Sequence, residues 1–297
     1  MIKKLKGRDV NLFIDGAVVA GNTSCTFTLS ANTADAASKT DPGDGMWDNP
    51  EFQNYIWQMG NESFVANVAG LQTLLQKVII GNAEVDVHFQ VGDDVSMSGR
   101  AIITQLHVSA ANGEKATLSL SLEGCTPLSG NAGQMDVAKA KISPIKGKAM
   151  MLAMQVSSNY HTFAASTSHS LTVSVQTAEV TTKDDNDMGT YKEVTGKSVS
   201  LSTENLMTVK NSPSQVTGIT FADMMTKMMA GETLKLAFGY YGSSIGAEAG
   251  DDADWNAAET VLVSGDFVCT NLSANGANKE DATYSAEFSG KGMPTVE

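Results

Sequence analysis

The side chains best able to do chemistry are scattered along this chain. The four histidines, His88, His107, His161 and His169, share no helix face and flank no cysteine pair, so they do not form a zinc site. They read as strand or loop residues facing solvent. Cys25, Cys125 and Cys269 form no metal-like cluster, and an odd count builds no disulfide framework. They read as small buried hydrophobes of a reducing compartment. Lys183–Gly189 has the acidic spacing of a calcium loop, but its glycine falls one residue early and no glutamate stands at the twelfth position. It reads as a solvated acidic loop, as does Asp251–Asp254. No Gly-x-Ser-x-Gly elbow, phosphate-cradling glycine loop or His-Glu-x-x-His is present. The expectation is a protein that is not an enzyme, with no catalytic residues, no metal site and no cofactor.

Composition narrows the class further. The chain has 297 residues, 42% of them hydrophobic and 18% charged, enough for packed cores and too apolar for a disordered protein. Net charge is −13 and is shared by both halves, which argues against sequence-specific nucleic-acid binding but leaves DNA free to pass without sticking. No run approaches the roughly 18 apolar residues of a membrane helix, and the basic start MIKKLKGRDV has no apolar stretch behind it. The expectation is a protein made and folded in a cytoplasm, with no membrane partner.

The elements that would hold these residues occur twice. Ser98–Gly124 aligns without a gap on Ser264–Gly290, with identities at Gly99/Gly265, Thr104/Thr270, Leu106/Leu272 and Thr117/Thr283. Thr33, Ala34, Asp35, Lys39 and Asp41 match Thr177, Ala178, Glu179, Lys183 and Asp185, and Lys6-Gly7 matches Lys146-Gly147. Three collinear blocks read as a tandem duplication: residues 1–130, a linker over 131–144, and residues 145–297. Strict alternation predicts strands at 85–91, 116–122 and 282–288, and at 25–29 and 171–175. Asn112-Gly113 predicts a two-residue hairpin turn. Leu71, Leu74, Leu75, Val78 and Ile79 predict one helix stopped by Gly81, and Phe221, Met224, Met225, Met228 and Met229 repeat it before Gly231. The leucine counterparts make the methionine stripe a core face instead of a binding face. One helix per many strands predicts a mainly β fold, a β-sandwich or partial barrel with one helix laid across it in each copy.

Unequal lengths place the loops. With Gly60 matched to Gly196, the first copy runs 19 residues beyond Asp41 and the second 11 beyond Asp185. The second copy also carries an insertion over 242–259. Loop 41–60 holds Trp47, Phe52, Tyr55 and Trp57, too apolar for free solvent, and is expected to be ordered by a neighbour.

The order of parts resembles the tail tube (major tail) protein family of long-tailed bacteriophages. A strand opens with KGRDVNLFIDG, TADAASKTD leads into a long loop, one helix follows, and a final hairpin carries ANGEKATLSLSLEG. KGKAMMLAMQV, TAEVTTKDDNDMGTYKEVTG and ANKEDATYSAEFSG are the second set. The resemblance covers essentially the whole chain, twice. It implies a structural virion subunit, assembled in the host cytoplasm into sixfold rings that stack into a hollow tube for DNA. It implies partners: the chain itself, tape measure and terminator proteins, and DNA passing without specific binding. It implies that the loops carrying Asp41, Trp47, Phe52, Tyr55, Trp57, Asp185 and Tyr191 reach a neighbouring subunit or ring. Two copies per chain turn six positions into rings of three chains. A β-rich adhesin for carbohydrate or receptor is the rival reading, weakened by an aromatic content of only 6%.

Overall fold

Alternating strands with one buried face dominate the chain, and they pair antiparallel throughout. The computed structural model describes residues 6–19, 21–35, 50–92, 95–130, 133, 135, 143–182, 189–208, 218–241 and 260–297. The first half runs β1 (Val10–Ile14), β2 (Ala17–Val18), β3 (Asn22–Asp35), β4 (Pro50–Phe64), α1 (Val68–Ile79), β5 (Glu84–Val91), β6 (Val95–Ala111), β7 (Thr117–Gly124) and β8 (Ser129–Gly130). The second half repeats the order: β9 (Met150–Val156), β10 (Asn159–Thr162), β11 (Ser166–Glu179), β12 (Lys192–Leu206), α2 (Phe221–Met229), β13 (Thr233–Tyr240), β14 (Thr260–Asn275), β15 (Thr283–Gly290) and β16 (Thr295–Val296).

Pairing repeats as well. Within the first half the strands lie in the order β2-β1-β5-β6-β7-β4-β3, and within the second β10-β9-β13-β14-β15-β12-β11. The register agrees residue by residue. The bulges of the β3/β4 pair fall between Asn22 and Ser24 and between Asn32 and Thr33; those of β11/β12 fall at the matching positions, 166/168 and 176/177. The β6/β7 irregularity at Ile103/Gln105 recurs at Cys269/Asn271. This register corrects one expected match. Gly196 stands opposite Gln176 as Asn54 stands opposite Asn32, so Gly60 corresponds to Ser202 and not to Gly196. The two connecting segments, between Asp35 and Pro50 and between Glu179 and Lys192, therefore differ by only two residues.

The halves join through β6. This strand is long enough to change partners: its first part, Val95–Ile102, pairs with β5, and beyond it Gln105–Ala111 pairs on the same edge with Ser168–Ser174 of β11. One sheet thus runs across both halves, and a single cluster of buried side chains, including Leu106, Val108, Leu171 and Val173, crosses the seam. Burying these four side chains stabilises the seam by roughly 1.5–3 kcal/mol each. The start of the second half is tied back too: Ile145 N donates to Val65 O, Ala116 N to Ile145 O, and Gly147 N to Glu114 O.

Helix α1 begins at Asn67, whose side chain accepts from Gly70 N at 2.5 Å, and α2 begins at Thr220 in a reciprocal capping box with Asp223. The apolar spacing that predicted α1 is buried at Leu71, Leu75, Val78 and Ile79. The core reading of the methionine stripe is corrected. Only Met224 is buried; Met225 is 44%, Met228 37% and Met229 82% exposed. The Asn112-Gly113 turn also departs from the two-residue form. Only Gly113 takes a positive φ, and Lys115-Ala116 leave the hairpin to pair with Ile145-Lys146.

The solvent-facing reading of the histidines fails at His88 and His169, which are buried. His169 lies on the core face of β11, opposite Ala110 of β6, and its ring nitrogens find no partner among the described residues. Burial pushes its pKa down to about 4. An unfolded histidine titrates near 6.5, so the unfolded chain takes up the proton first. Stability from this neutral ring is complete above that pH and is lost as pH falls toward 4, by about 3 kcal/mol in total. Denaturation midpoints followed from pH 7.5 to 4 should fall more steeply for the parent than for His169→Leu. Parallel slopes would show that His169 does not set the acid limit.

Candidate functional site

Eight strands, in the order β3-β4-β7-β6-β11-β12-β15-β14, form one continuous run through both halves. One face packs on the core through Met59, Leu120, Leu106, Leu171, Leu201 and Phe288. Alternation puts hydroxyls, amides and carboxylates on the other face. Across the sheet one row reads Ser24, Glu62, Ser119, His107, Thr172, Ser200, Ser289 in direct register. The next reads Thr117, Ser109, Ser170, Ser202, Glu287, Asn271.

Side-chain hydrogen bonds fix this surface, and several occur twice at matching positions. Ser24 Oγ donates to Glu62 Oε2 at 3.2 Å, and Ser168 Oγ donates to Glu204 Oε2 at 3.1 Å. Thr23 and Thr167 donate to the carbonyls of Glu62 and Glu204, both at 3.0 Å. Thr104 donates to Ser121 O at 3.1 Å and Thr270 to Glu287 O at 3.2 Å. Ser170 and Ser202 meet at 2.7 Å, as do Ser273 and Ser285. Hydroxyls satisfied by carbonyls, carboxylates and one another hold a polar skin in place without lysine or arginine.

Positive charge is scarce on these strands. β3, β4, β7, β11, β14 and β15 contain no lysine or arginine. In β6, Arg100 pairs with Glu84 and Asp86. In β12, Lys197 donates to the carbonyls of Ile79 and Gly81 at the end of α1, and Lys192 forms a largely buried ion pair with Glu123. Burial alone would raise the Glu123 carboxyl; the hydrogen bonds from Lys192 and from Thr177, at 2.9 Å, outweigh it and hold it below the usual carboxylate range. Every cation on the eight strands is therefore engaged, while Glu62, Glu204 and Glu287 stand exposed.

No group of three or more metal-ligating side chains occurs among the described residues. An open depression lined by Thr26, Thr28, Gln58, Ser121, Glu123 and Thr177 holds only Glu123, ion-paired with Lys192, as a titratable group. Sequence reasoning missed this polar face. Its signal was the Ser/Thr alternation of 117–123, 166–174 and 198–204, visible once two strands are set in register.

The loop residues fall into three groups. Asp41, Trp47 and Asp185 lie outside the described residues, as do residues 183–188 and 251–254. Phe52 is 49% exposed, but it sits in β4, paired with Thr33. Tyr55 and Trp57 are corrected from loop to strand: β4 begins at Pro50, because antiparallel pairing with β3 continues through this stretch. Trp57 is 2% exposed, its Nε1 donating to Thr126 O at 2.8 Å, and Tyr55 accepts from Leu128 N at 3.0 Å. Tyr191 is half-buried, its backbone N bonded to Thr181 Oγ1.

Comparison with known proteins decides the family. A family model described as "Phage tail tube protein" matches residues 144–296, just over half of the chain. The chain belongs to that family. It is a structural subunit of a virion tail, and the tail tube is its place. No curated protein matches its sequence. Among solved structures, half of the tube subunit resembles a chain in the tail of an empty GTA particle solved with C6 symmetry, at 17% identity and a TM-score of 0.36, covering 51% of this chain and 98% of that one. It also resembles a chain of the virion of a native gene transfer agent particle, at 14% identity and a TM-score of 0.38, with the same coverage.

Proposed function

We propose that three of these chains close into a ring of six repeat positions, that rings stack into a hollow tube, and that the hydroxyl-rich face of the eight-stranded run lines its bore. Each half, 1–130 and 145–297, serves as one domain, joined by the linker at 131–144. The observation that carries the reading is the absence of any unpaired cation on those eight strands, beside the exposed Glu62, Glu204 and Glu287. A lumen of hydroxyls and carboxylates gives phosphates nothing to replace their counterions, so DNA slides through it. Contacts between chains are head-to-tail and close only at a fixed rotation. Tape measure and terminator proteins are the partners at the tube's core and end.

The segments carrying Asp41, Trp47 and Phe52, and Asp185 and Tyr191, make the ring-to-ring contacts. Negative-stain microscopy of the concentrated protein should show hollow tubes, and deletion of residues 42–49 should leave rings that no longer stack. The deletion stops short of β4 because residues beyond Pro50 belong to the sheet. Solid or amorphous aggregates from the parent would count against the tube, and stacked tubes from the deletion would count against the loop's role.

A further inference from the structure

Three lysines converge where the first half meets the start of the second. Lys115, on the tip of the β6–β7 hairpin, stands directly opposite Lys146 in an antiparallel bridge, and Lys148 follows two residues on. Gly147 N donates to Glu114 O at 2.7 Å, which fixes the two segments against each other. All three lysines are exposed, and none forms an ion pair among the described residues. Lys115 Nζ lies 4.9 Å from the centre of the Phe64 ring. Like charges set directly opposite one another are destabilising. In a chain of net charge −13, such a grouping calls for an anionic partner. It belongs to this junction alone: the matching positions in the other copy are Asp281, Lys6 and Arg8, and Arg8 already lies 3.9 Å from Asp9.

An acidic segment is rooted beside the lysines. β13 ends at Tyr240, opposite both Met150 of β9 and Thr260 of β14, and Tyr241 N donates to Ala149 O at 2.7 Å. Both ends of the connection 242–259 therefore leave the sheet next to the residues that follow Lys148. The connection itself lies outside the described residues. Its sequence holds Glu248, Asp251, Asp252, Asp254 and Glu259, with no lysine or arginine. It too is unrepeated, because the matching connection between β5 and β6 is only the three residues 92–94. The unpaired cations and the acidic tether thus occur together at one junction, and neither occurs at the equivalent place.

We propose that Lys115, Lys146 and Lys148 form a docking site for an acidic peptide, and that its occupant is the chain's own segment 242–259. A segment of this length, anchored at both ends, can reach out and back about 30 Å at roughly 3.3 Å per residue. Lys146 is only three residues from the anchor at Ala149, and Lys115 is its direct partner. The tether holds the carboxylates near the lysines at about millimolar effective concentration, which the acidic segments of other copies do not reach. With the segment docked, the junction offers phosphates no free cation.

Carbodiimide coupling, which joins an amine to a carboxylate in contact with it, tests this on the whole chain without requiring the ring. An equal mixture of isotope-labelled and unlabelled chains is coupled at low salt and read by mass spectrometry. Bonds from Lys115, Lys146 or Lys148 to residues 248–259 should form within single chains. At about 1 M salt, where screening shortens to about 3 Å, their yield should drop about ten-fold. The combined variant Glu248→Gln, Asp251→Asn, Asp252→Asn, Asp254→Asn, Glu259→Gln should expose the three lysines to acetylation about five-fold faster than the parent. Lys279, exposed elsewhere on the chain, should react equally in both, and the circular dichroism spectrum should not change. Bonds found only between labelled and unlabelled chains would make a second copy the occupant and overturn the proposal. Equal acetylation in parent and variant would overturn it as well, as would protection of the parent's lysines only when duplex DNA is added.

Discussion

Replacing Glu62, Glu204 and Glu287 by lysine should turn the face proposed to line the bore into one that holds DNA. All three carboxylates are exposed on the hydroxyl-rich face, and the cations of the eight strands are already engaged with Glu84, Asp86, Glu123 or the end of α1. The substitutions remove three negative charges per chain and add three positive ones, repeated around and along a tube. Each phosphate neutralised releases counterions, so retention should be strong near 50 mM salt and collapse near 200 mM, a change of about 10³ or more for six or more contacts. Parent tubes should retain no duplex DNA at either salt, and Glu232→Lys, outside the eight strands, should behave as the parent. The cost to folding is small, because Glu62 and Glu204 each lose one exposed side-chain hydrogen bond. The measurement is DNA co-sedimenting with tubes across a salt series. Equal retention by parent and triple variant would place this face away from the bore.

Trp57→Ala should destabilise the fold by about 3–5 kcal/mol, the range for truncating a buried aromatic. The indole is 2% exposed and sits over two glycines. A Cβ on Gly99 would lie 2.9 Å from its Cζ2, and one on Gly124 would overlap the ring. Its hydrogen bond to Thr126 O ties β4 to the segment after β7. Phe52→Ala, by contrast, removes a side chain that is 49% exposed and should change stability by about 0.5 kcal/mol or less. Urea midpoints of the two variants separate these roles. If Trp57→Ala unfolded like the parent and failed only in assembly, Trp57 would be a docking residue after all.

Much of this architecture was legible in the chain. Period-two alternation located β5, β7 and β15, the 3.6-residue spacing located both helices, and the gapless block from Ser98 and Ser264 carried the register of four strands. The failures have physical causes. Trp57 and Tyr55 looked like loop aromatics because β4 is preceded by a polar, proline-containing stretch. Their strand character comes from pairing with β3. The methionines of α2 looked like core because their leucine counterparts are. Spacing reports which face is apolar and says nothing of whether its cover is in the same chain. His169 looked exposed because a neutral imidazole can be buried at a cost that composition does not display. The polar face belongs to no single segment. It arises from eight strands in register, two of which meet only because β6 outlasts β5 and takes up β11.

In the proposed tube, one chain supplies two equivalent positions of a closed ring. The most direct test is the symmetry of assembled tubes measured by cryo-electron microscopy. Three chains per ring and six repeat positions around the bore are the expected result. Six whole chains per ring, giving twelve repeat positions, would overturn the trimer.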